Sequence, residues 1–155
     1  MSRAGQLVGV LARGVAAGLA GTAAMTVSST LEARLRGREP STAPARAAQK
    51  VLGIGEFASP EAQERFSNAV HWGYGTGWGV VRAALAEVGI RPGLVAPAHF
   101  ALMWGGALVM LPALDVAPPV TRWGRNEVAI DVFHHLVYAT GTGLAYEVLD
   151  RRGRV

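Results

Sequence analysis

The sequence predicts an all-α fold, a four-helix transmembrane bundle forming one domain over residues 1–155, and three observations carry that expectation. Half of the residues are hydrophobic and only 17% are charged, yet the aromatic share is 7% and 20 residues are glycine, so the apolar volume is built from small side chains. A soluble domain keeps about a quarter of its residues charged, whereas small residues in a bilayer let helix backbones approach while lipid solvates the outward faces. Four predominantly apolar stretches occur, at about 7–31, 66–88, 94–114 and 128–149. A nine-residue pattern is also repeated at a fixed spacing in the second and fourth of them.

The first stretch follows Arg13 with a charge-free run from Val15 to Leu31, and the preceding GQLVGVLA extends it to spanning length. A signal peptide is the rival reading, but the apolar stretch is longer than an ordinary signal core and EARLRGR after it suits an interfacial anchor. Residues 32–65 form the one long polar loop. Pro40 and Pro44 are expected to stop the first helix, Ala45 to Leu52 to form a short interfacial helix, and Ser59 with Pro60 to cap and start the next long one. The third stretch, Leu94 to Leu114, carries no formal charge. The second contains Arg82 and the fourth contains Asp131 and Glu147, so hydropathy alone is equivocal there and a soluble helical bundle is the alternative. Basic residues divide almost evenly between the two sides and give no orientation.

HWGYGTGWG, residues 71–79, aligns with HLVYATGTG, residues 135–143, at an offset of 64. His71 meets His135 and Tyr74 meets Tyr138 in a chain with only 4 His and 3 Tyr. Alternate helices of a four-helix membrane protein run in the same direction, so the repeat suggests two hairpins related by a pseudo-two-fold axis along the membrane normal. At 100° per residue, Ser67, His71, Tyr74, Trp78 and Arg82 form one stripe, and Asp131, His135, Tyr138, Thr142 and Tyr146 form another. Lipid disfavours polar groups, so both stripes are expected to face inward or to lie near the headgroups. His71, Tyr74, Asp131, His135 and Tyr138 make up the candidate polar intramembrane site. Gly14, Gly18, Gly73, Gly75, Gly77, Gly79, Gly141 and Gly143 are the candidate helix-packing positions, several at small-xxx-small spacing. The first helix adds Thr22, Thr26 and Ser29 to its glycine stripe.

The absence of cysteine excludes disulfides, thiolate metal sites and cysteine nucleophiles. The formal charge of +4 comes from arginines at the ends of apolar segments, a pattern suited to lipid phosphates and not to nucleic acid. Ser28, Ser29 and Ser67 lack a nucleophile elbow, and GYGTGWG lacks the P-loop lysine, so no enzyme is expected. Asp131 one turn before His135 gives proton handling a rationale. Haem or metal ligation by His71 and His135 is the cofactor alternative, without the local spacing of a zinc site. The expected partners are the lipid bilayer and, in a homo-oligomer, further copies of the chain.

The glycine-rich GLAGTAAMT, the basic RGREPSTAP after it, and HxxYxxG at His71, Tyr74, Gly77 and again at His135, Tyr138, Gly141 resemble the YagU-like inner-membrane proteins of bacteria. The resemblance implies a multi-pass protein of the bacterial cell membrane, of unknown biochemical activity, linked to acid resistance. It supplies no catalytic residue.

Overall fold

A computed structural model of the chain describes residues 2–39 and 41–153, and among these it is all-helical, with no strand. Five α-helices occur in order: α1 Arg3–Arg36, α2 Ala43–Leu52, α3 Pro60–Glu87, α4 Pro92–Ala113 and α5 Arg125–Gly153, with a 3-10 turn at Val120–Arg122. Four are long, and α2 is the short helix that the polar loop was expected to hold.

Local chemistry sets the ends. Ser2 caps α1 by accepting from the Gly5 amide at 3.2 Å, and Ser59 caps α3 by accepting from the Ala62 amide at 3.2 Å, with Pro60 opening the helix as expected. The stop of α1 differs from the expectation. Gly37, at φ 61°, takes the left-handed conformation that closes the helix, and Arg38 N–H bonds back to the Ala33 carbonyl at 3.0 Å. Pro40 lies outside the described residues, and Pro44 belongs to the first turn of α2, so a glycine ends the helix before either proline is reached. Gly89, at φ 77°, turns the chain between α3 and α4.

α1 has the most extensive interfaces, along α3 and along α5, while α4 rests more lightly on the same two helices. Arg13 reaches Asp150 and Ser28 reaches His134, so α1 is antiparallel to α5. Gly14 meets Ala83 and Thr26 meets His71, so α1 is antiparallel to α3 as well. Tyr138 bonds to Gly75 and Arg82 pairs with Glu147, which makes α3 and α5 parallel at separations of 63 and 65 residues, on either side of the 64-residue offset of the sequence repeat. α4 runs against both.

The seam of α1 is made of glycine because its neighbours leave no space for a side chain. A Cβ at Gly18 would lie 2.8 Å from the Thr76 Cα, one at Gly79 would overlap the backbone of Gly14 and Gly18, and one at Gly21 would overlap the Thr142 hydroxyl. A Cβ at Gly75 would overlap the Thr22 hydroxyl, one at Gly14 would lie 3.0 Å from Ala83 and from the Gly79 carbonyl, and one at Gly141 would lie 3.3 Å from Ala24. Gly73, Gly77 and Gly143 do not behave as expected: a Cβ at any of them meets nothing within 4 Å. On α3 the alternating glycines necessarily divide between faces, and only Gly75 and Gly79 fall on the side turned to α1.

What this seam buries is small or polar: Ala17, Thr22, Ala83, His99, Thr142, Tyr138 and Tyr146. The large aliphatic residues stand outside, with Leu7, Leu11, Val15, Leu19, Val27 and Leu31 along the outer face of α1, and Leu94, Leu102 and Val109 on α4. The glycines of α3 give a paired test. Gly79→Ala forces two backbones apart and is expected to destabilise by about 1–3 kcal/mol. Gly77→Ala, in open space within the same helix, is expected to be neutral or stabilising by up to about 1 kcal/mol. Thermal unfolding of the two variants in detergent reads the difference, and equal shifts would count against the seam.

Candidate functional site

The glycine contacts expose backbone carbonyls and leave niches that polar side chains fill. On α5, Tyr138 is 2% exposed and its hydroxyl donates to the Gly75 carbonyl at 2.5 Å. On α1, Thr22 fits the notch left by Gly75 and donates to the Gly18 carbonyl at 2.7 Å. His99, fully buried on α4, lies with its ring 5.9 Å from that of Tyr138 and 6.2 Å from that of Trp78. Its Nε2 stands 3.0 Å from the Trp78 carbonyl. A carbonyl only accepts, so the ring proton sits on Nε2. The Nδ1 atom is buried without a partner, which fits the bare lone pair of a neutral ring.

The other histidines are held by α1 or by their own helix. Thr26 donates its single hydroxyl proton to the Thr22 carbonyl at 2.7 Å, so its contact of 2.8 Å with His71 is one in which His71 Nε2–H donates. His135 Nδ1–H donates to the carbonyl of Asp131 at 2.8 Å, and the Asp131 carboxylate accepts from Trp104 Nε1 at 2.7 Å. His134 is buried, with Nδ1 2.9 Å from the Ser28 hydroxyl and Nε2 3.7 Å from a Glu32 carboxylate oxygen. The Ser28 hydroxyl is also 3.0 Å from the Met25 carbonyl. With its proton there, His134 Nδ1 carries a proton and Nε2 faces the carboxylate.

Glu32 lies just beyond the apolar stretch that ends at Leu31. Its carboxylate accepts from both Nε and Nη2 of Arg38 and lies 3.6 Å from Arg36. The Arg38 hydrogen bond holds the Glu32 carboxyl below the usual carboxylate range; partial burial opposes this, and the charges of Arg38, Arg36 and His134 assist it. At the opposite end of the seam Arg82 is 5% exposed, with its guanidinium 5.0 Å over the Tyr146 ring and Nη2 3.9 Å from Glu147. Arg13 pairs with Asp150 beside it at 3.6 Å.

The structure therefore places the expected site residues in different settings. Tyr138 is central, and Asp131 and His135 sit half-buried beside α4. Tyr74, expected to face inward with Tyr138, is 41% exposed and packs edge-on against Trp78 with ring centroids 6.2 Å apart. The two tyrosines are equivalent in the repeat but their neighbours are not. Tyr138 is enclosed by His99 and Met103 of α4 and by Met25 of α1. His71 and His135 are not brought together as a pair: one is held by Thr26 and the other by the backbone of its own helix. Among the described residues no group of three or more His, Asp or Glu stands as a metal-ligand set. The sequence reading missed the buried roles of His99 and His134 and the contact made by Gly21. Gly21 sits one heptad after Gly14, a spacing that signals a shared face.

Comparisons of the chain with family models, with curated proteins and with solved structures find no match.

Lowering of the Glu32 pKa fixes the sign of a pH effect. The charged form is favoured in the folded state, so its contribution is present above the ordinary carboxyl value of 4.5 and is lost as pH falls through the lowered folded value. Glu32→Gln is expected to lower the thermal midpoint at neutral pH and to converge with wild type in acid. A gap of constant size across that range would show that the carboxylate charge contributes nothing.

Proposed function

We propose that the chain is an integral membrane protein whose four long helices span the bilayer as two hairpins about a pseudo-two-fold axis, with a polar seam in place of a large hydrophobic core. The observation that carries this reading is the distribution of apolar surface. α1 and α4 are long and apolar enough to cross a membrane, yet only 28% and 17% of their most apolar stretches are buried within the protein. A helix that is apolar all round is covered either by protein or by lipid. Here the protein does not cover it: Leu7, Leu11 and Val27 on α1 and Leu94, Leu102 and Val109 on α4 are all half or more exposed.

Lengths and charges are compatible with spanning. The 34 residues of α1 make about 51 Å of helix, longer than the roughly 30 Å hydrocarbon core, so Glu32, Arg34 and Arg36 reach the headgroups. Residues 66–81 of α3 and 132–146 of α5 carry no Asp, Glu, Lys or Arg. On this reading, charge-free runs of about 22–24 Å leave Arg82, Asp131 and Glu147 for the outer parts of the bilayer, and their contacts suit that depth, since Trp104 donates to Asp131 and Arg82 lies over the Tyr146 ring. The parallel arrangement of α3 and α5 near the repeat offset supports the pseudo-symmetry.

The role proposed for this protein is non-enzymatic and lies in the bacterial envelope under acid stress, as the YagU-like resemblance implies, with the seam of Tyr138, His99, His71 and His134 as its polar interior. Alkaline carbonate washing of membranes from producing cells tests the class: the chain is expected to stay with the lipid, and release into the wash would establish a soluble helical bundle instead. The role is tested by acid challenge of cells lacking the chain, which are expected to survive less well and to be rescued by wild type. Unchanged survival would remove acid stress from the reading.

A further inference from the structure

We propose that α2 and the turn after it form a docking element for an anionic phospholipid surface, anchoring the loop between α1 and α3. This inference rests on the membrane reading and adds the lipid class and the residues that meet it. Within α2, Arg46 and Lys50 are one helical turn apart, both are exposed, and the helix contains no acidic residue. Rotation by 100° per residue puts Val51 and Leu52 away from that basic pair, flanking Ala48. Both side chains are exposed, as is Ile54 immediately after Gly53. Val51 and Leu52 continue the side of α2 on which Ala45 and Ala47 are buried, but past the part of the helix that packs on α3, so they are left uncovered.

Two features of the fold show why lipid is the occupant. α2 is not a free peptide, because Ala45 and Ala47 are buried, α2 packs on α3, and Phe57 beyond it packs on Phe66 with ring centroids 5.2 Å apart. The unpaired apolar residues are therefore held near the point where α3 would enter the bilayer. They also sit at the same end of the molecule as the last turn of α1, where Leu35 is 87% exposed between Arg34 and Arg36. Apolar side chains beside cations, at the level where helices leave the hydrocarbon, match the acyl chains and phosphates of the interface. A cationic polar face opposite an apolar one is the arrangement that lies flat on an anionic leaflet. Each basic residue near such a surface strengthens attachment about fivefold. A protein partner would need carboxylates set beside an apolar cover at matching positions, whereas an anionic leaflet offers phosphates and acyl chains along its whole surface.

The natural absence of cysteine permits single-site labelling of the full chain. Leu52→Cys, Arg46→Cys and Leu102→Cys, each carrying a fluorescent dye, are reconstituted with brominated phosphatidylcholine, alone or mixed with phosphatidylglycerol. Quenching at Leu102 reports the membrane reading, because that residue lies on the outer face of α4. The expected result is strong quenching at Leu102 in both mixtures, and quenching at Leu52 that exceeds that at Arg46 and rises when phosphatidylglycerol is present. Adding Arg46→Glu and Lys50→Glu to the labelled Leu52→Cys variant is expected to abolish the rise, with helicity by circular dichroism unchanged. Quenching at Leu102 without quenching at Leu52 would overturn the docking element and leave the membrane reading intact. Leu52 quenching that ignores phosphatidylglycerol would overturn the anionic surface as its partner. No quenching at any position would remove the membrane reading and this inference with it.

Discussion

The backbone contact between α1 and its two neighbours is the constraint from which the other features follow. Gly14, Gly18 and Gly21 on one helix and Gly75 and Gly79 on another remove the side chains that normally separate helices. With so few bulky apolar side chains between them, these helices depend on close van der Waals contact and on hydrogen bonds across the interface. Close contact supplies both here. It brings the Gly75 carbonyl within reach of Tyr138, and it forms the notch that Thr22 occupies. The same contact leaves little room for large aliphatic residues along α1 and turns most of them outward, so its buried neighbours are mainly alanine, threonine, tyrosine and histidine, with Met103 and Val95 contributed by α4.

Such an interior is stable only if its polar atoms are satisfied, because an unpaired group in an apolar medium costs several kcal/mol. The histidines meet this requirement mostly through backbone and hydroxyl partners. His99 uses the Trp78 carbonyl, His71 uses Thr26, and His135 uses the carbonyl of Asp131. Each of these bonds fixes a tautomer, and those of His99 and His71 also tie one helix to another. His134 differs, because its second nitrogen faces Glu32 at 3.7 Å and that carboxylate is already held by Arg38. At this end of α1, as around Arg82 and Arg13 at the other end of the seam, charge as well as packing sets the geometry.

Much of this was legible from residue types and spacing. Ser59 and Pro60 marked a helix start because their chemistry is local, and the repeat pointed to α3 and α5 as parallel because alternate helices joined by antiparallel hairpins run the same way. Facing was harder to read. Tyr74 and Tyr138 have equivalent positions in the repeat, yet only Tyr138 is interior, because residues of α1 and α4 enclose it while Tyr74 stays exposed. Likewise His134 and His135 are adjacent, and a rotation of 100° separates a buried contact with Glu32 from a half-buried one with Asp131. The spacing of Gly73, Gly75, Gly77 and Gly79 revealed a small-residue surface but not which alternate pair would carry it, because that depends on the partner helix.

The central claim is that α1 packs inward through its small residues and meets lipid with its large ones. Nitroxide labels placed singly along α1 in lipid bilayers test it, with collision rates measured for oxygen, which concentrates in lipid, and for a water-soluble nickel chelate. At Leu11, Val15, Leu19 and Val27 the account predicts high oxygen and low nickel collision rates, while Thr26, packed against His71 and adjacent to Val27, gives low rates with both. High nickel accessibility at the four outer positions, or equal oxygen accessibility at Thr26 and Val27, would contradict it.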